Sequence, residues 1–228
     1  MFYIVRHGQR EDQATYHQKM NTEKSFDPKL TPIGEFMAYK TGMELIKEIG
    51  RDKEILFISS PFVRCLQTAE HIHCGMKKDN IKIHKNIMYV EELVREHATT
   101  KYFTSETYKK LDYFVKGKIN NFDTVFNQFE PFKGQEKFFD NWEESSKDLT
   151  VRVDAFVKLL AEFAKENPNV VPVVVTHGFS ISACDQIYNK GNLEEPSDII
   201  TDYTGVVKFE IDKETGSTKM VYCNKLFY

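Results

Sequence analysis

No apolar run in this sequence approaches the roughly 20 residues needed to cross a membrane. The first residues lack a basic segment followed by a longer apolar one, so no secretory leader is expected. Cysteine is scarce and scattered: Cys65, Cys74, Cys184 and Cys223 show no paired spacing. That pattern excludes a disulfide framework and predicts free thiols in a reducing cytosol, hence a cytoplasmic protein. His71, His73 and Cys74 lie close together, but a structural zinc site needs four ligands and nothing nearby completes one. They read as ordinary helix-end residues, and neither a metal nor another cofactor is expected. A strong excess of one charge is also missing. The formal net charge of -3 excludes nucleic acid or a membrane surface as the main partner. Internal repeats, low-complexity tracts and flexible linkers are absent too.

What is present is enough for a sizeable core: 41% of the 228 residues are apolar. The chain reads as a single domain over residues 1–228. Phe2–Val5 is a short buried strand, followed by a polar, irregular loop over residues 9–30. In "LTPIGEFMAYKTGMELIKEIG", Thr31 is an N-cap, Pro32 takes the first helical position and Gly50 ends the helix. Ile33, Phe36, Met37, Leu45, Ile46 and Ile49 are expected to form its buried face. Ile55–Ser59 is a strand, with Ser60 and Pro61 capping a helix that starts at once. "IKIH" at residues 81–84 is a further short strand. Leu149, Val153, Phe156, Val157, Leu160 and Phe163 mark an amphipathic helix. "VVPVVVTHG" then has the continuous β-branched pattern of a strand buried on both faces, with Pro172 near its start. Residues 179–189 are helical, and "GVVKFEI" and "TKMVYCN" form a terminal hairpin.

This alternation predicts an α/β fold. We expect a three-layer sandwich with a mostly parallel central sheet, helices on both faces and an antiparallel edge strand. Residues 98–147 break the rhythm. They hold twelve aromatic residues and no evident strand pattern, and are read as a helical insertion or lid over the active site.

Two strands end alike. The first runs out in Val5-Arg6-His7-Gly8 and the later one in Val175-Thr176-His177-Gly178. In an open α/β sheet the carboxyl ends of parallel strands share one edge, where ligands bind. The fold therefore brings two distant imidazoles to one site. Ile55–Ser59 ends at the same edge and is followed by Ser60, Pro61 and Arg64. Arginines Arg6 and Arg64 and a helix start favour an anion, and a guanidinium fork matches phosphate oxygens. A neutral histidine can attack phosphorus directly, and a glycine after His7 would leave room for the phosphate. The leaving oxygen needs an acid, for which "VEELVREHATTK" offers Glu91, Glu92 and Glu96.

"VRHGQR", "LTPIG", "SSPFVRCLQTA", "LVRE" and "VTHG", in this order over residues 2 to about 185, resemble the histidine phosphatase (phosphoglycerate mutase-like) superfamily. The resemblance implies that His7 is the phosphorylated nucleophile, that Arg6 and Arg64 grip the phosphoryl group, and that His177 is the second pocket histidine. It aligns Val94-Arg95-Glu96 with the family's acid motif and so favours Glu96. The form R-H-G-x-R-x-D, given by Arg10 and Asp12, looks closest to the suppressor-of-T-cell-receptor-signalling (ubiquitin-associated and SH3-domain protein) phosphatases, where the second arginine also touches phosphate. Arg10 is thus a phosphate-binding candidate. That branch often has alanine where Gly178 stands here.

The expected activity is hydrolysis of phosphate monoesters through a phosphohistidine on His7. The substrate would be a phosphorylated small molecule or a phosphoprotein, and a homodimer is one assembly the chain could form. The alternatives are a cofactor-dependent phosphoglycerate mutase and a catalytically silent phosphate-binding module. A mutase needs extra basic groups over its pocket. The insertion carries Lys101, Lys109, Lys110, Lys116 and Lys118 but no arginine, which tells against that alternative.

Overall fold

The computed structural model describes residues 1–14, 27–77, 81–100, 103–107, 128–131, 143–192, 200–212 and 214–227. In chain order the elements are β1 (Phe2–Arg6), a single helical turn α1 (Glu11–Ala14), α2 (Pro32–Ile49), β2 (Glu54–Ser59), α3 (Val63–Met76) and β3 (Lys82–Val90). A 3-10 turn (Glu92–Val94) follows, then β4 (Gln128–Pro131), α4 (Ser146–Glu166), β5 (Val170–Thr176), α5 (Gly178–Tyr188), β6 (Val206–Ile211) and β7 (Thr218–Lys225). One seven-stranded sheet has the order β4-β3-β2-β5-β1-β6-β7. The strands from β4 to β1 are mutually parallel, and β6 runs antiparallel to both β1 and β7. The terminal hairpin thus supplies two strands at one side of the sheet, with β7 as the expected antiparallel edge.

Side chains alternate between the two faces, as the two-residue period of a strand requires. Tyr3, Val5, Ile55, Phe57, Val173 and Val175 pack towards α2 and α3, against residues such as Leu45, Ile46, Leu66 and Ile72. Phe2, Ile4, Leu56, Ile58, Val174 and Phe209 pack towards α4 and α5, against Val153, Phe156, Leu160 and Ile181. The expected three-layer α/β arrangement is therefore present. β5, fully buried along its length, is the strand whose sequence showed no alternation. Pro172 lies where β5 pairs with β2, one residue before its ladder with β1 begins at Val173. No described helix is long and apolar enough to cross a membrane, and all four cysteines are free thiols.

The structure corrects several local expectations. α2 is capped as read: Thr31 Oγ1 accepts from the Gly34 N–H at 2.9 Å, Pro32 opens the helix and Gly50 ends it at φ 91°. Its buried face is as read in the second half, where Leu45, Ile46 and Ile49 are buried, but not in the first. Ile33 and Phe36 are 59% and 62% exposed, while Gly34, Ala38, Thr41 and Gly42 face inward. The cause is the close approach of α3: a Cβ on Gly42 would stand 2.1 Å from the Ile72 carbonyl, and one on Gly75 2.1 Å from that of Tyr39. Only small residues fit that seam, and Ile33 and Phe36 lie outside it. β3 does not stop at His84. Lys85 and Asn86 adopt positive φ, the register against β2 jumps from Ile55–Ile83 to Phe57–Met88, and the strand resumes to Val90.

The region 98–147 contains a strand, β4, added parallel to the β3 edge. Four residues bonded on one side only give too little alternation to read, and a terminal proline is tolerated there. Much of the expected helical insertion, residues 108–127 and 132–142, lies outside the described residues.

Candidate active site

The sheet register builds the site. Arg6 pairs with Thr176 across β1 and β5, so the next residues, His7 and His177, emerge side by side at the carboxyl edge. Both are essentially inaccessible to solvent. Their ring centroids are 5.4 Å apart, edge to face. Nδ1 of His7 lies 2.8 Å from the Gly8 carbonyl oxygen. A carbonyl can only accept, so Nδ1 carries the proton and Nε2 keeps its lone pair. Burial, with Arg64, His177 and Arg6 adding their positive fields, holds the His7 pKa well below the ordinary histidine value. His7 is therefore a neutral imidazole with one free nitrogen.

Two arginines close on it. Arg6 ends β1; its Nη1 donates to the Thr201 carbonyl, and its guanidinium carbon sits 4.3 Å over the Tyr203 ring. Arg64, the second residue of α3, is the largest fully buried side chain. Its Nη2 lies 3.2 Å from Glu96 Oε2 and 3.1 Å from His177 Nδ1, and its Nη1 3.4 Å from Asp27 Oδ1. Nε of Arg6 and Nε of Arg64 are buried donors with no hydrogen-bond partner among the described residues. Buried orphans of this kind are rare and costly, and two beside one imidazole suit an incoming anion. Arg10 behaves differently. Its fork holds Asp12, with Nε donating to Oδ1 at 2.9 Å and Nη2 to Oδ2. It still contributes positive field to the His177 side of the site.

Of the three carboxylates left open by sequence, Glu96 is the one that reaches Arg64 and His177; its Oε2 is 3.2 Å from His177 Nδ1. Burial alone would raise the Glu96 pKa, but His177 and Arg64 outweigh it and hold the carboxyl well below the usual range. Glu91 instead accepts the Leu93 N–H at 2.9 Å and closes the 3-10 turn. Burial pushes its pKa up to about 7.

The donor atoms of His7, Glu96 and His177 lie within 4.8 Å of one another, a spacing a metal could use. Arg6 and Arg64 beside them make the local field cationic, which favours an anion over a metal cation.

Ser60 and Gly8 have other duties than expected. Ser60 does not cap α3. Its Oγ lies 2.8 Å from His177 Nε2, and the Asp27 carboxylate accepts the Val63 N–H instead, at 3.0 and 3.2 Å. The helix start read as an anion site is thus already capped by a side-chain anion. A Cβ on Gly8 would meet the Gly34 carbonyl at 2.5 Å, so this glycine admits the α2 backbone rather than making room for phosphate. A Cβ on Gly178 would stand 2.7 Å from Thr201 Oγ1 and 3.3 Å from Arg6 Nε. Glycine there gives Arg6 its space.

Sequence reasoning missed a second group of residues. Arg152 grips Glu144 through Nε and Nη2 at 2.6 and 2.8 Å, and its Nη1 donates to the carbonyls of Leu93 and Arg95 at 2.7 and 3.2 Å. This clamp fixes the loop that carries Glu96. An available signal was an arginine set between Leu149 and Val153 on the apolar face of α4. Tyr203 had a weaker one, a lone aromatic in a polar connection.

The family model for the histidine phosphatase superfamily (branch 1) matches residues 2–114 and 115–224. No curated protein matches the sequence significantly. Among solved structures, the chain is similar to phosphoserine phosphatase from Entamoeba histolytica in complex with 3-phosphoglyceric acid, at 22% identity and a TM-score of 0.56, covering 98% of this chain and 96% of that one. It is also similar to a mycobacterial glucosyl-3-phosphoglycerate phosphatase with inorganic phosphate, at 17% identity and a TM-score of 0.58, covering 99% and 97%. A phosphoglycerate mutase from Bacillus anthracis matches at 16% identity and a TM-score of 0.56, covering 91% and 86%. At these identities the likeness is one of fold.

Proposed function

The chain belongs to the histidine phosphatase superfamily (branch 1), and from that premise we propose that it hydrolyses phosphate monoesters through a covalent phosphohistidine on His7. The observation that carries this reading is the Nδ1 bond of His7 to the Gly8 carbonyl, which leaves Nε2 free beside two arginines with unpartnered buried N–H groups.

In the first half-reaction Nε2 of His7 attacks phosphorus and the ester oxygen leaves with the proton of the Glu96 carboxylic acid. Arg6, Arg64 and His177 hold the non-bridging oxygens, where charge is greatest in the transition state. Arg10 joins them by sharing its fork with Asp12. In the second half, water attacks the phosphohistidine while Glu96 takes its proton, and His7 leaves as the neutral imidazole. Glu96 is ionised in the free site. A bound phosphate dianion adds negative charge and draws on Arg64, and both effects raise the Glu96 pKa towards the protonated form its first task needs.

The substrate class we favour is a phosphorylated small molecule, with phosphoproteins second. Two of the similar structures are phosphatases whose names carry phosphorylated metabolites. The test is direct. The protein is incubated with p-nitrophenyl phosphate, quenched in base, and searched for phosphate on His7 by mass spectrometry. We expect a labelled His7 and no turnover by His7→Ala. Near-wild-type phosphate release by that variant would overturn the mechanism. Isomerisation of 3-phosphoglycerate faster than phosphate release would instead make the protein a mutase.

A further inference from the structure

Arg6 is held by a short loop from the far end of the chain, residues 200–205. The Arg6 N–H donates to the Gly205 carbonyl at 3.0 Å, its Nη1 donates to the Thr201 carbonyl, and the Tyr203 ring lies under its guanidinium. The same loop reaches His7: the Thr204 N–H donates to the His7 carbonyl at 3.3 Å, and the rings of His7 and Tyr203 are 6.0 Å apart. The Tyr203 hydroxyl donates to Gln13 Oε1, in the helical turn beside Arg10 and Asp12. The loop is firmly set. Thr204 is fully buried at φ 55°, a left-handed backbone that a β-branched residue seldom adopts. Asn224 on β7 pins the loop from behind, donating to the Ile200 carbonyl at 3.1 Å and accepting the Asp202 N–H at 2.9 Å.

We infer that Tyr203 is a positioning residue for Arg6, its ring fixing the guanidinium plane so that the unpartnered Nε meets the phosphoryl group. This rests on the proposed phosphate site. The physical basis is the stacking of a desolvated cation on an aromatic face. Arginine has several rotatable bonds, and a guanidinium anchored at Nη1 alone can still swing about that contact. A ring under the guanidinium, in a site so close that a Cβ added at Gly178 would stand 3.3 Å from Nε, removes that freedom. Preorganisation of this kind acts on phosphate affinity before it acts on chemistry.

The experiment measures binding of inorganic phosphate by calorimetry, and kcat and KM for p-nitrophenyl phosphate, in wild type, Tyr203→Phe and Tyr203→Leu. We expect Tyr203→Leu to weaken phosphate binding and raise KM by about threefold to thirtyfold, the span of a lost cation–π contact, with a smaller change in kcat. Tyr203→Phe keeps the ring and should stay within about twofold of wild type. Two results would overturn the inference: phosphate affinity unchanged in Tyr203→Leu, or an equal loss in Tyr203→Phe, which would assign the effect to the Gln13 bond. Should Tyr203→Leu not fold, Asn224→Ala carries the test, because it frees the loop and leaves the ring in place. Unchanged phosphate affinity there also overturns the inference. Phosphate binding without any ester hydrolysis by the wild type defeats the proposed activity alone. Hydrolysis by the wild type with unaltered phosphate binding in Tyr203→Leu defeats this inference alone.

Discussion

Nη2 of Arg64 stands 3.2 Å from Oε2 of Glu96, and both side chains are buried. The pair joins the group that would grip the phosphate to the group that would handle the proton. An anion taken up at the open Nε of Arg64 would share that guanidinium with Glu96 on Nη2, and in doing so would raise the proton affinity of the carboxyl. Under the proposed mechanism, substrate binding and acid activation would be one event.

This coupling leads to a leaving-group test. Glu96→Gln keeps the shape and loses the proton. If Glu96 is the general acid, kcat/KM should fall by about 10²–10⁴ for an alkyl phosphate. For p-nitrophenyl phosphate, whose leaving group departs without a proton, the fall should be much smaller. The ratio kcat/KM isolates the phosphorylation half-reaction, so the later use of Glu96 as a base does not intrude. Equal losses on both substrates would make Glu96 only a holder of Arg64.

The proposed nucleophile gives a pH signature. The His7 pKa is held well below its ordinary value, first by burial and then by Arg64, His177 and Arg6. A group with a lowered pKa stays neutral until the pH falls through that lowered value. With substrate ionisation allowed for, the acid limb of kcat/KM should lie clearly below pH ~6.5, the unperturbed histidine value. Nitrogen-15 NMR at pH 6 should find His7 neutral and protonated on Nδ1. A limb at or above that value, or an imidazolium signal at pH 6, would mean that the pocket does not exclude the second proton.

The clamp behind Glu96 makes a third case. Glu144 and Arg152 are both buried, with side chains 3% and 8% exposed. Removing Arg152 leaves Glu144 with only the longer 3.4 Å contacts to Arg95 and the Ala98 N–H, at a cost of up to about 3–5 kcal/mol. Arg152→Met should therefore lower the midpoint of thermal unfolding strongly, and the double variant Arg152→Met with Glu144→Gln should recover much of the loss. The double variant should still show reduced kcat/KM, because the carbonyls of Leu93 and Arg95 have lost the donor that fixes the loop. Full activity in the folded double variant would reduce the clamp to a stabilising role.

These residues divide by how far the sequence reveals them. The strand ends were readable because β1 and β5 are continuous apolar runs that stop at Arg6-His7 and Thr176-His177, and a parallel sheet sends such ends to one edge. The caps of α2 were readable because Thr31, Pro32 and Gly50 act locally. The small-residue part of the inward face of α2 was not, because it is set by how closely α3 approaches, and Gly42 and Gly75 say little until paired. Asp27 takes the capping role read for Ser60 for a similar reason. A cap can come from a side chain 36 positions away, which no local pattern records. β4 is too short to show a period, and Tyr203 and Arg152 act on site residues through contacts that exist only in the folded chain.

Glu91 offers a test separate from activity. It is 3% exposed, and burial raises its pKa from 4.5 to about 7. The folded state therefore prefers the neutral acid. For an acid whose folded pKa lies above its unfolded one, the stabilisation is fully present below the unfolded value and is lost as pH rises through the folded one. For Glu91 that window runs from pH 4.5 to about 7. By pH 8 the loss amounts to roughly 3.5 kcal/mol at most, taking about 1.4 kcal/mol per pKa unit. Glutamine can still accept the Leu93 N–H and never ionises. Glu91→Gln should thus match the wild type in urea unfolding near pH 4.5 and be the more stable of the two at pH 8, with the gap opening between those limits. A gap that did not change with pH would mean that the Glu91 carboxyl ionises in the folded protein as easily as in the unfolded chain, and that burial at the end of β3 does not hold its proton.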